Sequence, residues 1–500
     1  MTKFYLRVEA VNLAHTVEDT EDLSTVRGGG LALLRAVEWV GRKFGFEAVT
    51  LGASAGIFEI EAADAEEMER RRREVEQFLA EHSEPYEDRD GDRRLLDLGQ
   101  FTFVTDVTPA SGDFALDRRR LVARNRFRQM QSPSLVVPAE AAPDGAGPCE
   151  EDRLRPAAEG CYGKPRRGAG QRSRRLSRSV SERREFGRAQ KQAFYEVETD
   201  VAYPGAFSND FAALSADPGD AGAPAEAPLA GKMAVLYLDG NRFGRLQDEH
   251  CATAEGQRSF DEALRGYRRS VLRELLAKAK DDPGFLEESA DSEASQEPRL
   301  RFETLLWGGD ELLWAVPAAR GLWTLGFFYG HAAAWSFAGE PLTFAGGLVL
   351  CHHNAPIYRV RALASELAGL AKRRDRGKNL FAYQVLESFD HAGADLEGVR
   401  RRRTPKVVDP DDLVLDGGAL EAVLGHAPEV RRHLPRRRVE GVVRALQAGA
   451  AAEVEIGRAR RGLPPETAAA LDGLLGAFGG GPAAWLHLAD LWDYLEAPRP

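Results

Sequence analysis

Three acidic residues stand at points where the chain turns, and their surroundings make them candidates for metal chemistry. Asp239 ends an apolar run and precedes a glycine, whereas Asp310 and Glu311 follow two glycines between short β-like runs. Ligands collect at the carboxyl ends of strands in open sheets, and glycines supply the positive φ angles of a tight turn. If the strands are neighbours, these carboxylates converge. Because no His or Cys stands near, the set suits Mg²⁺ or Mn²⁺.

Converging carboxylates of this kind fit phosphoryl or nucleotidyl transfer. In that chemistry two ions about 3.5–4 Å apart activate a hydroxyl and stabilise the leaving pyrophosphate. Gly240, Gly308 and Gly309 would let phosphate approach the backbone closely. Lys372 and Lys378 lie between a predicted helix and a predicted strand, where they could bind a triphosphate, and we expect Lys378 to matter more.

The N-terminal elements are predicted from hydrophobic periodicity. They are a strand over Phe4–Ala14, a helix over Gly30–Phe44, strands over Glu47–Leu51 and Gly56–Ile60, a helix over Ala65–His82 and a strand over Gln100–Val107. The order βαββαβ is that of a ferredoxin-like fold.

The elements that would carry the acids form a second block. They are a strand over Met233–Leu238, a helix over about Phe260–Lys280, hairpin strands over Arg301–Trp307 and Glu311–Val316, a buried helix over Gly321–Phe337, a strand over Leu342–Leu350, a helix over about Ile357–Arg374 and a strand over Leu380–Val385. Two similar αβ blocks in one chain indicate a duplicated palm, and amphipathic helices follow.

We therefore predict an α+β protein with two ferredoxin-like palm domains and a helical C-terminal domain. The predicted domains are residues 1–110, an N-terminal palm-like domain; 111–230, a connector with Cys and Arg-rich segments; 231–395, the catalytic palm; and 405–500, the helical domain. A chain of 500 residues is long enough for several cores.

Composition indicates a cytoplasmic protein that does not span a membrane. The N-terminus lacks the apolar run of a signal peptide, and the most apolar stretch, 321–337, is shorter than the roughly 20 residues that a spanning helix needs. The four cysteines show no CxxC spacing, which fits a reducing compartment. A net charge of -11 does not exclude nucleic acid, because basic residues cluster locally.

Several motifs together resemble known families. Asp-Gly-Asn-Arg-Phe-Gly at 239–244, Gly-Gly-Asp-Glu at 308–311 and Ala-Lys-x4-Gly-Lys-Asn at 371–379 resemble the GGDEF-type cyclase fold. Cys-His-His-Asn-Ala-Pro-Ile at 351–357 and Asp-Leu-Ser-Thr-Val-Arg-Gly-Gly at 22–29 are similar to the large palm-domain subunit of type III CRISPR effector complexes.

The resemblance implies a palm that converts ATP to cyclic oligoadenylate, beside a degenerate first palm. It implies metal-binding and catalytic roles for Asp239, Asp310 and Glu311, and nucleotide-binding roles for Asn241 and Phe243 in addition to the glycines and lysines above. It also implies a nucleoside triphosphate substrate, with ATP favoured, and RNA or CRISPR-type protein partners; a homo-oligomer stays open. The chain begins on the first palm, so we expect no DNase activity.

Two alternative functions stay open. The chain could be a catalytically silent palm scaffold that binds RNA or protein, or a diguanylate cyclase, since Asp310-Glu311 stands where the CRISPR family usually has two aspartates. Pyrophosphate release from each nucleoside triphosphate separates these functions.

Four further features have competing interpretations. His352 and His353 are expected to cap or pack rather than react. Cys149 and Cys161 could be half of a zinc site, but free thiols are favoured. The basic run 166–188 could bind RNA or be a solvated linker. The glycines at 28–30 could cradle phosphate before a helix, but a turn is favoured.

Overall fold

The chain folds into two compact units. The computed structural model describes residues 1–132, 147–163, 172–203, 207–215, 229–287, 298–387, 396–449 and 452–495. The first unit comprises Met1–Tyr203, Phe243–Arg269 and Leu305–Asp310, and the second comprises Pro204–Arg242, Ser270–Thr304 and Glu311–Pro500.

Helices and strands alternate along most of the chain. The strands are β1 (Thr2–Val11), β2 (Glu47–Leu51), β3 (Ala55–Ala62), β4 (Ser83–Glu87), β5 (Arg93–Asp97), β6 (Thr102–Pro109), β7 (Tyr162–Gly163), β8 (Arg174–Arg175), β9 (Lys232–Gly240), β10 (Leu286–Glu287), β11 (Arg299–Leu300), β12 (Glu303–Gly308), β13 (Glu311–Pro317), β14 (Ser336–Phe337), β15 (Glu340–Pro341), β16 (Phe344–His352), β17 (Leu380–Val385) and β18 (Val414–Asp416). The helices are α1 (Leu23–Phe44), α2 (Ala65–Glu81), α3 (Phe114–Gln131), α4 (Arg178–Thr199), α5 (Phe211–Leu214), α6 (Phe243–His250), α7 (Ala254–Ala279), α8 (Gly321–Ala332), α9 (Ile357–Arg374), α10 (Leu396–Arg403), α11 (Leu420–His433), α12 (Arg436–Gln447), α13 (Ala452–Arg460), α14 (Pro465–Ala477) and α15 (Gly481–Asp490).

The first unit contains a four-stranded sheet of order β2-β3-β1-β6. β1 pairs antiparallel with both β3 and β6, and α1 and α2 connect the strands in the order βαββαβ, with the hairpin β4-β5 added before β6. The predicted ferredoxin-like order is therefore confirmed for this unit. Buried side chains of β1, among them Leu6 and Val8, supply the core.

Helix α1 begins seven residues before the predicted start, because Asp22 caps it. The Asp22 carboxylate accepts a hydrogen bond from the Thr25 amide at 2.9 Å. Gly28 consequently lies inside the helix, where an added Cβ would stand 1.7 Å from the carbonyl oxygen of Arg183 on α4. The turn and the phosphate cradle predicted at 28–30 are both wrong. Gly28 lets the backbones of α1 and α4 approach each other closely.

Two arginines of the basic run belong to the core of the first unit. Arg183 is fully buried and forms an ion pair at 2.8 Å with Asp19, which also pairs with Arg155 at 2.8 Å. Burial alone would raise the pKa of Asp19, but the two guanidinium groups hold it below its usual value. Arg184 is buried as well. For these arginines the solvated linker and the RNA surface are both wrong; residues 166–171 of the run lie outside the described residues.

The second unit is built on five adjacent strands in the order β13-β9-β16-β17-β18. β9 pairs antiparallel with β13 and β16, β16 and β17 are parallel, and β18 pairs antiparallel with β17. From Met233 to Leu238 every side chain of β9 is buried, which explains its continuous apolar sequence. β9 is thus a central strand.

The remaining predictions for this part of the chain mostly agree with the structure. The strand after the buried helix, the helix over Ile357–Arg374 and the strand over Leu380–Val385 are all present. The buried helix ends at Ala332, five residues before the predicted Phe337, and Ser336–Phe337 form the strand β14 instead. The C-terminal region is helical as predicted, but its residues 414–416 extend the sheet as β18. No helix among the described residues is long and apolar enough to cross a membrane.

All four cysteines, each within the described part of the chain, are free. Cys149 is buried in an apolar cluster with Leu176 and Val180, and Cys161 packs against that cluster. Burial raises the pKa of the Cys149 thiol. This environment favours two packed thiols over a metal site, as the sequence analysis did.

Candidate active site

The acid at the end of β9 and the acid at the start of β13 lie opposite each other. The antiparallel register pairs Asp239 directly with Glu311. Directly opposed residues have Cβ atoms about 4.5–5.5 Å apart, so the two carboxylates share one face of the sheet. The neighbour of Asp239 on the other side is Ala345, whose small side chain leaves room beside the carboxylate. The predicted convergence of Asp239 and Glu311 is thus present in the second unit.

The turn before Glu311 is made by Gly308, Gly309 and Asp310, which belong to the first unit. A Cβ on Gly308 would lie 2.2 Å from the backbone nitrogen of Ala53. Gly309 has a φ of 56°, a left-handed conformation that favours glycine. The local structure therefore explains why both positions are glycine. Asp310 is bonded covalently to Glu311, and its charge acts on Arg268.

Tyr237 holds the carboxylate of Glu311. Its hydroxyl donates to Glu311 Oε1 at 2.5 Å. The two residues can meet because Tyr237 precedes Asp239 by two positions on β9, so both side chains point to the same face. Burial, followed by the negative charge of Glu311, raises the pKa of Tyr237, which keeps the phenol protonated as a donor. The sequence analysis missed Tyr237, although its spacing from Asp239 was a usable signal.

Lys372 neutralises Asp239 in the structure. Its Nζ lies 2.7 Å from Asp239 Oδ2 and donates to the carbonyl oxygen of Gly240 at 3.1 Å. Burial raises the pKa of Asp239, and the ion pair with Lys372 opposes that shift. Ser365, two helical turns before Lys372 on α9, opposes the rise in the pKa of Tyr237. One face of α9 therefore lies over the acidic end of β9.

Asn241 fastens the loop that follows α9. Its Nδ2 donates to Thr343 Oγ1 and to the carbonyl oxygen of Lys378, both at 3.2 Å. The Asn379 side chain accepts from the Phe344 amide at 2.8 Å. Among the described residues, the buried Oδ1 of Asn241 has no hydrogen-bond partner. The residue that follows Gly240 thus offers a buried acceptor oxygen that the described residues do not use.

Lys378 and Phe243 occupy other surroundings. The Lys378 side chain is 65% exposed, and its Nζ lies 3.9 Å from Asp375 Oδ2. Phe243 is buried in the first unit and packs edge-on against Phe260 at 5.7 Å between ring centroids. Their predicted nucleotide-binding roles stay predictions. Of the two lysines, Lys372 is the one that contacts a candidate catalytic residue.

The histidine pair lies at the opposite end of the sheet from the carboxylates. His352 pairs with Lys232 at the start of β9, seven residues and about 23 Å along the strand from the position of Asp239. His353 donates its backbone amide to the carbonyl oxygen of Gly231 at 3.0 Å, and His352 Nδ1 accepts from the Asn354 amide at 3.2 Å. The pair therefore packs at the start of β9, as the sequence analysis expected, but it does not cap α9, whose N-cap residue is Pro356.

Comparison with known proteins gives no match to a protein-family model and none to a curated protein. Solved structures do match. The structure of a Csm1–Csm4 cassette in complex with one ATP aligns with a TM-score of 0.56 at 13% identity, covering 99% of this chain and 70% of that chain. The chain has the fold of Csm1. A Csm1–Csm4 cassette with cA3 aligns with a TM-score of 0.51 at 13% identity, covering 99% of this chain and 69% of that one.

Csm1 from T. onnurineus aligns with a TM-score of 0.50 at 13% identity, covering all of this chain and 70% of that chain. Csm1 is the large subunit of a type III CRISPR effector, so the resemblance to that subunit is confirmed at the level of the fold. The mixed α+β class and the helical C-terminal region also match Csm1.

Proposed function

We propose that this protein is a nucleotidyltransferase that makes a cyclic nucleotide or oligonucleotide from a nucleoside triphosphate, with ATP favoured. The observation that carries the proposal is the direct pairing of Asp239 and Glu311 on adjacent strands, with Lys372 in contact with Asp239. Fold neighbours support it, because Csm1–Csm4 cassettes have been solved in complex with ATP and with cA3. Antiviral defence in a CRISPR-type complex would be its setting.

The donor atoms of the site fit magnesium or manganese. Asp239 and Glu311 offer carboxylate oxygens, the predicted third ligand is Asp310, and the buried Asn241 Oδ1 is an unused oxygen acceptor nearby. Oxygen-only sets of this kind suit hard divalent ions. Bound ions would supply charge neutralisation for a triphosphate and a lower pKa for the attacking hydroxyl.

The chain's own groups would bind and orient the nucleotide. The Lys372 ammonium, already beside Asp239, is within reach of an anionic group that enters next to that carboxylate. Tyr237 keeps one oxygen of Glu311 in a fixed direction. Both contacts exist before substrate binds, which lowers the cost of ordering the site during reaction.

Partners follow from the same comparison. The Csm1 structures include cassettes with Csm4, which supports a Csm4-type protein as a partner of this chain. RNA is a further proposed partner, although the buried Arg183 and Arg184 are not part of any RNA surface.

The proposal is tested by pyrophosphate release from each nucleoside triphosphate with Mg²⁺ or Mn²⁺. The double substitution Asp310→Ala with Glu311→Ala should abolish release while the protein still unfolds cooperatively, because it removes ion ligands without opening a core cavity. Asp411→Ala with Asp412→Ala is the matched control, since both acids are largely exposed and pair weakly with Arg374 at 3.7 and 3.6 Å. That control should retain full activity.

Three outcomes decide between the candidate functions. Release that depends on ATP supports an oligoadenylate synthase, whereas release that depends on GTP supports a diguanylate-type cyclase. If the folded wild-type protein releases no pyrophosphate from any triphosphate, alone or with a Csm4-type partner and RNA, the silent scaffold is the better description. Equal release by the wild type and the Asp310/Glu311 double variant would remove these acids from the site.

A further inference from the structure

A buried arginine contacts the glycine turn from within the first unit. Arg268 lies on α7 with 5% of its surface exposed. Its Nη1 donates to the carbonyl oxygen of Gly309 at 2.6 Å. Hydrogen bonds from a charged donor are short and about twice as strong as neutral ones. The carbonyl it holds immediately precedes Asp310 in the chain.

The guanidinium of Arg268 is fixed on a second side by an aromatic ring. It lies over Trp307, with 5.4 Å between its central carbon and the ring centroid. The indole nitrogen of Trp307 donates to Glu198 Oε2 at 2.9 Å, and Arg269 Nε lies 3.2 Å from the same oxygen. The ring that supports Arg268 is therefore itself held by a hydrogen bond.

Burying this charge is unfavourable. Burial lowers the pKa of Arg268 to about 10, although Asp261, Glu198 and Asp310 oppose the shift, so the group stays protonated at neutral pH. An apolar side chain of similar length could fill the same space without the desolvation cost, which is several kcal/mol for a buried ion. What an apolar side chain could not supply is a donor to the Gly309 carbonyl.

The glycines of the turn do not by themselves fix its path. Gly308 and Gly309 carry no side chains, and Gly308 is in close backbone contact with Ala53. Gly309 has a left-handed backbone conformation, and because glycine can adopt many conformations, it does not by itself fix the direction of the chain after it. The hydrogen bond from Arg268 to the Gly309 carbonyl holds the chain in one direction.

We propose that Arg268 is a positioning residue for catalysis, which fixes the Gly309 peptide and thereby the directions in which Asp310 and Glu311 leave the turn. The inference rests on the proposed nucleotidyltransferase function. Arg268 acts through the turn and does not itself touch substrate.

The test uses Arg268→Lys, which keeps the charge but loses the forked donor geometry, and Arg268→Met, which removes both. Arg273→Lys and Arg273→Met are matched controls on an exposed position of the same helix. Loss of a group that orients metal ligands typically costs about 10- to 100-fold in activity or metal affinity. We expect a loss of this size in kcat for Arg268→Met, a smaller loss for Arg268→Lys, and an unchanged KM for ATP.

Two measurements do not depend on turnover. Hydrogen exchange of the peptide 305–313 should become faster in Arg268→Met while exchange in β1 and β9 does not change. Mn²⁺ affinity of Arg268→Lys, titrated without nucleotide, should fall about 10-fold. Since this variant keeps the positive charge, a weaker affinity reports the orientation of the turn rather than its electrostatics.

The outcomes separate this inference from the proposed function. Variants that match the wild type in kcat, exchange and Mn²⁺ affinity overturn the positioning role. So does a kcat loss accompanied by faster exchange throughout the first unit, because that pattern reports general destabilisation. If the wild type releases no pyrophosphate, the proposed function fails, whereas the exchange and Mn²⁺ measurements still decide whether Arg268 orients the turn.

Discussion

Replacing Lys372 by methionine should change stability, metal binding and substrate binding in different directions. Lys372 and Asp239 form an ion pair at 2.7 Å, with side chains 22% and 23% exposed. Methionine keeps most of the side-chain volume on α9 and removes only the ammonium. Asp239 is then left desolvated and without its counter-ion.

The expected loss of stability lies between the values typical of an exposed ion pair and of a buried one. With an effective dielectric constant of about 20, two unit charges at 2.7 Å attract by about 6 kcal/mol, and desolvation offsets most of this. Exposed pairs contribute about 0–1 kcal/mol, and breaking a buried pair costs about 3–5 kcal/mol. For a pair about one-fifth exposed, we expect Lys372→Met to lower the free energy of unfolding by about 1–3 kcal/mol.

Thermal and urea unfolding with and without Mn²⁺ provide the assay. A divalent ion can replace the ammonium as the counter-ion of Asp239, so Mn²⁺ should restore the lost stability and bind Lys372→Met more tightly than wild type. The KM for ATP should rise, because a cation for the triphosphate is gone. Arg373→Met, next to Lys372 and paired with Glu397 at an exposed position, is the control and should show none of these changes.

The reasoning is refuted if Lys372→Met is as stable as the wild type and binds Mn²⁺ no more tightly. Lys378→Ala supplies a second comparison. The sequence favoured Lys378 as the stronger phosphate ligand, whereas the geometry predicts a smaller effect for it, because its side chain is 65% exposed and turned towards Asp375.

Three further predictions concern other parts of the chain. Tyr237→Phe removes the hydroxyl that holds Glu311 and should lower kcat about 10-fold or more with KM for ATP unchanged; a wild-type rate of pyrophosphate release would contradict it. His487 has a pKa lowered by burial to about 4, so the unfolded chain takes up a proton first as pH falls below 6.5. The free energy of unfolding, measured in urea, should therefore fall by about 2 kcal/mol between pH 7 and pH 5 because of this group. In His487→Gln that fall should be smaller. Gly28→Ala should destabilise by about 1–3 kcal/mol through the clash with α4, whereas Gly330→Ala, with open space around it, should be neutral or slightly stabilising; equal Tm values would contradict both.

The parts of the site that the sequence predicted correctly depend on short-range signals. Two local patterns carried the prediction: an apolar strand that ends in Asp239, and a glycine pair between two β-like runs. Asp239 and Glu311 then face each other because β9 and β13 are neighbouring strands. The helix over Ile357–Arg374 is predictable for the same reason, since its apolar residues recur at helical spacing.

The missed features depend on contacts between residues distant in sequence. Arg268 meets Gly309 across 41 residues, and Arg183 pairs with Asp19 across 164. A run of arginines looks solvated until the acids that neutralise it are placed beside it. The start of α1 was missed because glycines normally weaken a helix, and only the close approach of α4 gives Gly28 a reason to be there.

The short strand β18 determines how this chain can be divided for expression. It pairs with β17 from Leu380↔Asp416 to Ala382↔Val414, so it covers the outer edge of β17. A fragment that stops at residue 405 would leave the backbone N–H and C=O groups of β17 unpaired, and a bare apolar edge of this kind recruits other chains. Such a fragment should therefore aggregate, whereas fragments that retain β18 and the helices behind it should stay dispersed. The strands of the second unit and the helical region are best treated as one unit of expression.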